Sequence, residues 1–132
     1  MINLKNIKNQ AQSAKSKFNS AGVFNAIVAD VRTPDDYVEG EAFEVIYDVE
    51  TPKGTFPFRE LFFMKRYNRR TQNFLTYLSQ SGIDIEDITS FIGCQEKLTF
   101  KRVVVENRSR LNIVSREFIS KDAEGFDDMG NQ

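Results

Sequence analysis

The residues best suited to chemistry in this chain lie in one run, "TFPFRELFFMKRYNRRTQNFL" (55–75), which sets five phenylalanines and a tyrosine beside five Lys/Arg and a single acid. Rings and cations interleaved in this way fit one task above others. Every base presents a π-face to a ring and every phosphate presents charge to a cation, so such a surface holds a single strand of nucleic acid with little regard to its sequence. Phe56, Phe58 and Tyr67 are the candidate stackers, and Arg59, Lys65, Arg66, Arg69 and Arg70 the candidate phosphate contacts. A helix starting just past "KRYNRR" adds unpaired N–H groups and a favourable dipole for an anion. Leu61, Phe62, Phe63 and Met64 read instead as core, the default place for large apolar side chains.

Other chemistries are thinly supplied. The chain has no His and a single Cys94, so it holds neither a Cys/His zinc site nor a Cys–His dyad, and no disulfide can form within it. The usual general base near neutral pH is also missing. No enzymatic activity, metal or cofactor is expected. The weaker reading of the loop acids Asp35, Asp36, Glu39 and Glu41 as a Mg²⁺ site competes with ordinary solvated turn chemistry.

The elements that position these residues follow from pattern. At 132 residues, 40% hydrophobic and 28% charged, with 7 Gly and 3 Pro, the chain has the makings of one core. No run of 18 apolar residues occurs and the first residues are polar and basic, so neither a membrane span nor export is expected, and a cytoplasmic location is. The net charge of −1 conceals strong polarity. Residues 1–22 carry four lysines and no acid, residues 30–50 eight acids and one Arg, residues 53–70 six bases and one acid, and residues 122–132 four acids and no base. This divides the chain into a basic arm (1–22), a folded domain (23–120) and an acidic tail (121–132).

Within the domain, "VFNAIVADVRT" reads as a first strand. "AFEVIYDVET" alternates, with Phe43, Val45, Tyr47 and Val49 on one side and acids mostly on the other, the period of a half-buried strand. "PKG" turns it into the third strand, "TFPFRELFFM", whose Pro57 lacks a ladder donor and belongs at an edge or bulge. "TQNFLTYLSQSG" predicts a helix with Thr71 as N-cap and Gly82 as stop, and "DIEDITSFIG" a second short helix with Ile85, Ile88 and Ile92 on one face. "EKLTFKRVVVE" and "RLNIVSREFIS" then form a hairpin turned at "NRS".

The fold class is therefore all-β with one inserted helical segment, β-β-β-α-β-β, the order of the five-stranded OB-fold barrel. In that arrangement Arg108 and Arg110 sit beside the last hairpin's turn at the border of an oligonucleotide groove, and Tyr47 on the second strand is a further stacker if Glu44, Asp48 and Glu50 pair with Arg59 and its neighbours. Lys101, Arg102 and Arg116 are weaker candidates, since alternation lets only one of Lys101 and Arg102 point at a ligand, and the plainer reading of all three is solvated sheet charge. A mixed α+β sheet is the competing fold.

On this element order, on "GTFPFRELFFMKR" and on "EKLTFKRVVVENRSRLNIVSREF", the chain resembles, over about residues 23–120, the OB-fold single-stranded DNA-binding proteins of bacteriophages and conjugative plasmids. The resemblance implies a non-catalytic role in DNA replication or conjugation. The ending "DAEGFDDMGNQ" is similar to the acidic tails through which such proteins recruit replication or transfer partners, but it closes on "MGNQ" where those tails commonly end in a hydrophobic or aromatic residue. The arm, with Ile2, Leu4 and Ile7 among its lysines, is expected to mediate self-association. RNA binding by the same surface is a close variant. From a different class comes a protein-interaction or assembly module, in which the Phe-rich strand is core and the charge polarity serves subunit contacts.

Overall fold

The computed structural model describes residues 18–64 and 68–121. Five strands, β1 (Gly22–Arg32), β2 (Ala42–Thr51), β3 (Gly54–Phe63), β4 (Gln95–Val105) and β5 (Arg108–Ser120), form one antiparallel sheet in the order β3-β2-β1-β4-β5. Helix α1 (Arg69–Gln80) and a short 3-10 turn (Ile88–Phe91) lie between β3 and β4. The described residues are thus predominantly β with one α-helix, and β3 and β5 are the two edges of the sheet.

The alternation of β2 becomes burial of one face. Phe43, Val45, Tyr47 and Val49 are buried, opposite Phe62, Glu60, Phe58 and Phe56 of β3. The other face carries Glu44, Ile46 and Asp48 against Leu61, Arg59 and Pro57. β1 pairs with both β2 and β4, and register shifts between Val28 and Asp30 and between Thr99 and Phe100 mark where the sheet bends. The bending brings the inner faces of the two edges within side-chain reach, since Arg116 of β5 lies 2.6 Å from Glu60 of β3.

Beyond the end of β3, α1 lays Phe74, Leu75 and Leu78 into the core. Phe74 stacks on Phe62 (4.2 Å between centroids, 15°), which stacks on Phe43 (5.1 Å, 19°), and Phe91 meets Phe74 edge-on. At the opposite end Phe18 fills the sheet's mouth, 4.4 Å from Phe100 and 4.9 Å from Phe24, its N–H donating to Pro57 O at 2.9 Å. Burying such a ring is worth roughly 2–3 kcal/mol. The folded region therefore reaches back to Phe18, into what the charge pattern marks as the arm; the rest of the arm and residues 122–132 fall outside the described residues.

Several local expectations change. The helix N-cap is Asn68, whose Oδ1 accepts from Thr71 N at 2.8 Å; Thr71 is buried inside the first turn and donates its hydroxyl to Phe63 O. Gly82 follows the C-cap with φ +84°, the left-handed conformation that stops a helix. The segment after it is only the 3-10 turn, and its buried residue is Phe91, with Ile85 and Ile92 exposed. Phe63, expected in the core, is exposed on the outer face and touches Tyr37 edge-on. The last hairpin turns at Glu106–Asn107, both at positive φ (52° and 65°), a two-residue turn of the kind that matches strand twist.

Pro57 sits on edge strand β3, where its missing donor costs nothing, and its neighbours close that edge. The carbonyls of Pro57, Leu61 and Phe63 accept from Phe18 N–H, Arg70 Nη1 and Thr71 Oγ1 in turn. Such side-chain and main-chain caps shield an edge from pairing with another chain.

Candidate functional site

Alternation puts Glu60 on the inward face between Phe58 and Phe62, where an unpaired carboxylate would be costly. It is fully engaged. Arg116 Nη2 donates to it at 2.6 Å, Arg70 Nη2 at 3.1 Å and the Tyr47 hydroxyl at 3.2 Å, while Arg116 Nη1 donates to the Tyr47 oxygen at 2.8 Å. Phenyl rings support both guanidiniums, Arg70 over Phe62 at 4.3 Å and Arg116 over Phe74 at 4.8 Å. Burial pushes the Tyr47 hydroxyl well above its usual range against the pull of Arg116. Burial also disfavours the charge on Arg116, but Tyr47, Glu60 and Glu96 around it outweigh this and hold the guanidinium more firmly protonated than usual.

Behind this network lies Glu96 of β4, fully buried, with Oε2 accepting from the Tyr77 hydroxyl at 2.5 Å and Oε1 lacking a hydrogen-bond partner among the described residues. Burial raises its carboxyl from 4.5 to about 7; the Tyr77 hydroxyl and Arg116 pull it down, and Glu60 pushes it further up. Tyr77 is raised by its own burial and by the carboxylate it serves.

In front of the network a cleft of about 700 Å³ opens between β3, α1 and β5. Phe58, Tyr77, Leu111 and Ile113 give it apolar walls; Arg59, Arg69, Arg70 and Arg116 line it, with Glu60 the one carboxylate among the described lining residues. A concave site with apolar walls and a positively charged rim accommodates a planar, anionic ligand.

The expected site residues distribute unevenly about this cleft. Phe58 lines it, half-buried and edge-on to Phe100 at 5.0 Å. Phe56 lines a different cleft at the Phe18 end. Arg69, the first residue of α1, is exposed at the rim. Arg70 is tied to Glu60 and to Leu61 O. Arg59 is exposed opposite Ile46 on the outer face, between the acids of β2, although it borders the cleft. Arg108 and Arg110 are exposed, and their register with Val105 and Val103 puts them on the face of the β4–β5 ribbon opposite that of Leu111 and Ile113. Lys65, Arg66 and Tyr67 lie outside the described residues.

Tyr47 is a correction. Its ring is wholly buried and its hydroxyl is consumed by Glu60 and Arg116, so no ring face is left for a base. The acids of β2 do not pair with Arg59 to expose it; Glu44 accepts from Arg32. Arg116, expected as a solvated charge, is instead the central cation of the site. Of the loop acids, Glu41 accepts from Val38 N–H, and no group of three or more His, Cys, Asp or Glu is gathered to hold a metal among the described residues. No described helix is long and apolar enough to cross a membrane.

The central residues that sequence reasoning missed are Glu60, Tyr77 and Glu96, and it left Arg116 as a weak candidate read more plainly as a solvated charge. The period of two already places Glu60 with Phe58 and Phe62, and Tyr77 lies three residues from Phe74 on the same helical face. Arg116 carries no comparable signal, because the bulge in β5 breaks its alternation with Ile113. The chain matches no protein-family model, and no curated protein matches it in sequence.

Proposed function

We propose that this protein binds single-stranded DNA without catalysis, and that the strand lies in the cleft between β3, α1 and β5. The observation that carries the reading is the lining of that cleft among the described residues, with Arg69 exposed at its rim, Arg70 and Arg116 sharing the carboxylate of Glu60, Arg59 at its border, and Phe58 and Tyr77 in its walls. Stacking on those rings requires bases freed from pairing, which favours a single strand over duplex. The sheet order β3-β2-β1-β4-β5, with the Glu60–Arg116 contact bridging the two edge strands, supports reading the sheet as an OB-type barrel opened between β3 and β5. On this reading the protein is a cytoplasmic strand-coating protein of a phage or conjugative element, active in replication or transfer, with self-association through the arm and partner recruitment through the acidic tail.

The assembly-module reading draws on exposed apolar residues of the β4–β5 ribbon, Val104 and Val105 on its opposite faces and Val114 at the border of the cleft itself. The capped edge of β3 disfavours strand addition along that edge.

Fluorescence anisotropy of labelled oligo-dT separates the two. Binding that weakens with salt, resists duplex competitor and falls about tenfold in Arg69→Glu is expected, the loss of one charge-assisted phosphate contact. RNA of the same length as competitor reports sugar preference. No binding to oligo-dT at low salt overturns the reading and leaves the assembly module in its place.

A further inference from the structure

At the Phe18 end of the sheet a second cleft of about 390 Å³ lies between the approach to β1 and the β2–β3 turn. Three phenyl rings, Phe18, Phe24 and Phe56, form its apolar part together with Pro52. Gly22, at φ +131°, leaves room for the Phe24 ring: a Cβ there would meet it at 3.2 Å. Its polar residues are Asn19, Ser20, Thr51 and Lys53, and no carboxylate is among the described residues that line it. Asp48 and Glu50 project from the opposite face of the hairpin by alternation. A second cation stands beside it, because Arg102 Nη2 donates to Asn19 O at 2.5 Å.

This cleft is related to the larger one by the geometry of β3. Phe56 borders one and Phe58 the other; they share a face two residues apart, so their Cα atoms are separated by about 6.6 Å. The Phe18 ring stands against Phe58 at 6.3 Å and its N–H is bonded to the intervening Pro57, so Phe18 divides the two clefts while β3 joins them. A rod of successive planar groups on an anionic backbone, lying along β3, meets a ring and a cation on each side of that divide.

We propose that the Phe24–Phe56–Lys53 cleft is a second nucleotide subsite, taking a base and its phosphate from the same single strand that fills the larger cleft. The inference rests on the nucleic-acid reading above and adds to it a footprint that extends to the β2–β3 turn. Lys53 supplies the phosphate contact, and Phe56 with Phe24 supplies the apolar wall for the base.

The test uses the full chain and two labelled oligo-dT lengths, roughly 4 nucleotides to occupy one cleft and roughly 12 to reach both, within the range of footprints for such domains. Lys53→Glu is expected to weaken the longer strand about tenfold, to lower its salt dependence by about one counterion, and to leave the shorter strand unchanged. Phe56→Leu, which keeps an apolar side chain but removes the ring, is expected to weaken only the longer strand several-fold. Equal effects of Lys53→Glu on both lengths, or none on either, would overturn the subsite while the wild type's own binding preserves the larger site. A wild type that binds neither length would overturn both.

Discussion

Glu96 gives the sharpest quantitative expectation. The folded protein holds its carboxyl at about 7, against 4.5 for the exposed group, chiefly because burial disfavours the charge. A raised acid binds its proton more tightly folded than unfolded. Below pH 4.5 both states are protonated and folding incurs no penalty from this group. Between 4.5 and about 7 the unfolded chain has released the proton and the folded chain has not, so stability falls as pH rises, and above 7 the loss is complete. At about 1.4 kcal/mol per pH unit, the full loss is about 3 kcal/mol.

Glu96→Gln removes the titration while keeping a polar group beside the Tyr77 hydroxyl. Urea unfolding of both proteins, followed by tyrosine fluorescence from pH 4.5 to 8, isolates the effect, because every other titrating group is common to the two. The difference between the curves should open by about 3 kcal/mol in favour of the variant across that window, a shift of about 1–2 M in the urea midpoint at ordinary slopes. Parallel curves over the whole range would refute the reasoning; they would mean that Glu96 is ionised within the fold, its buried Oε1 satisfied in some other way.

Two further expectations concern stability. Arg116→Met leaves the buried Glu60 carboxylate and Tyr47 hydroxyl without their main donor, and should cost about 3–5 kcal/mol in denaturant unfolding, whereas a loss under 1 kcal/mol would mean that Arg70 alone satisfies Glu60. Glu106→Gly relieves a non-glycine residue at φ 52° in the β4–β5 turn and should stabilise by about 1 kcal/mol, read as a rise in thermal midpoint; a fall would show that the Glu106 side chain contributes more than its backbone strain costs.

What the sequence by itself determined was whatever depends on neighbours along the chain. Alternation in "AFEVIYDVET" placed β2 at its observed bounds and set Phe43, Val45, Tyr47 and Val49 on one face, because a strand's period of two needs no partner to be read. The same rule put Tyr47 among core residues, and its assignment to a base ran against that rule. Turn chemistry located the hairpins to within a residue or two, and Gly82 marked the end of α1. Tertiary structure alone decided which cations stay free to meet a ligand. Glu60 and Arg116 are 56 residues apart, on strands that are never neighbours in the sheet, and only the curl of that sheet sets one against the other. That contact makes Arg116 the floor of a cleft and ties up Arg70, while register turns Arg108 and Arg110 to the opposite face of their ribbon. Charge is written locally, but its pairing across a sheet is a property of topology.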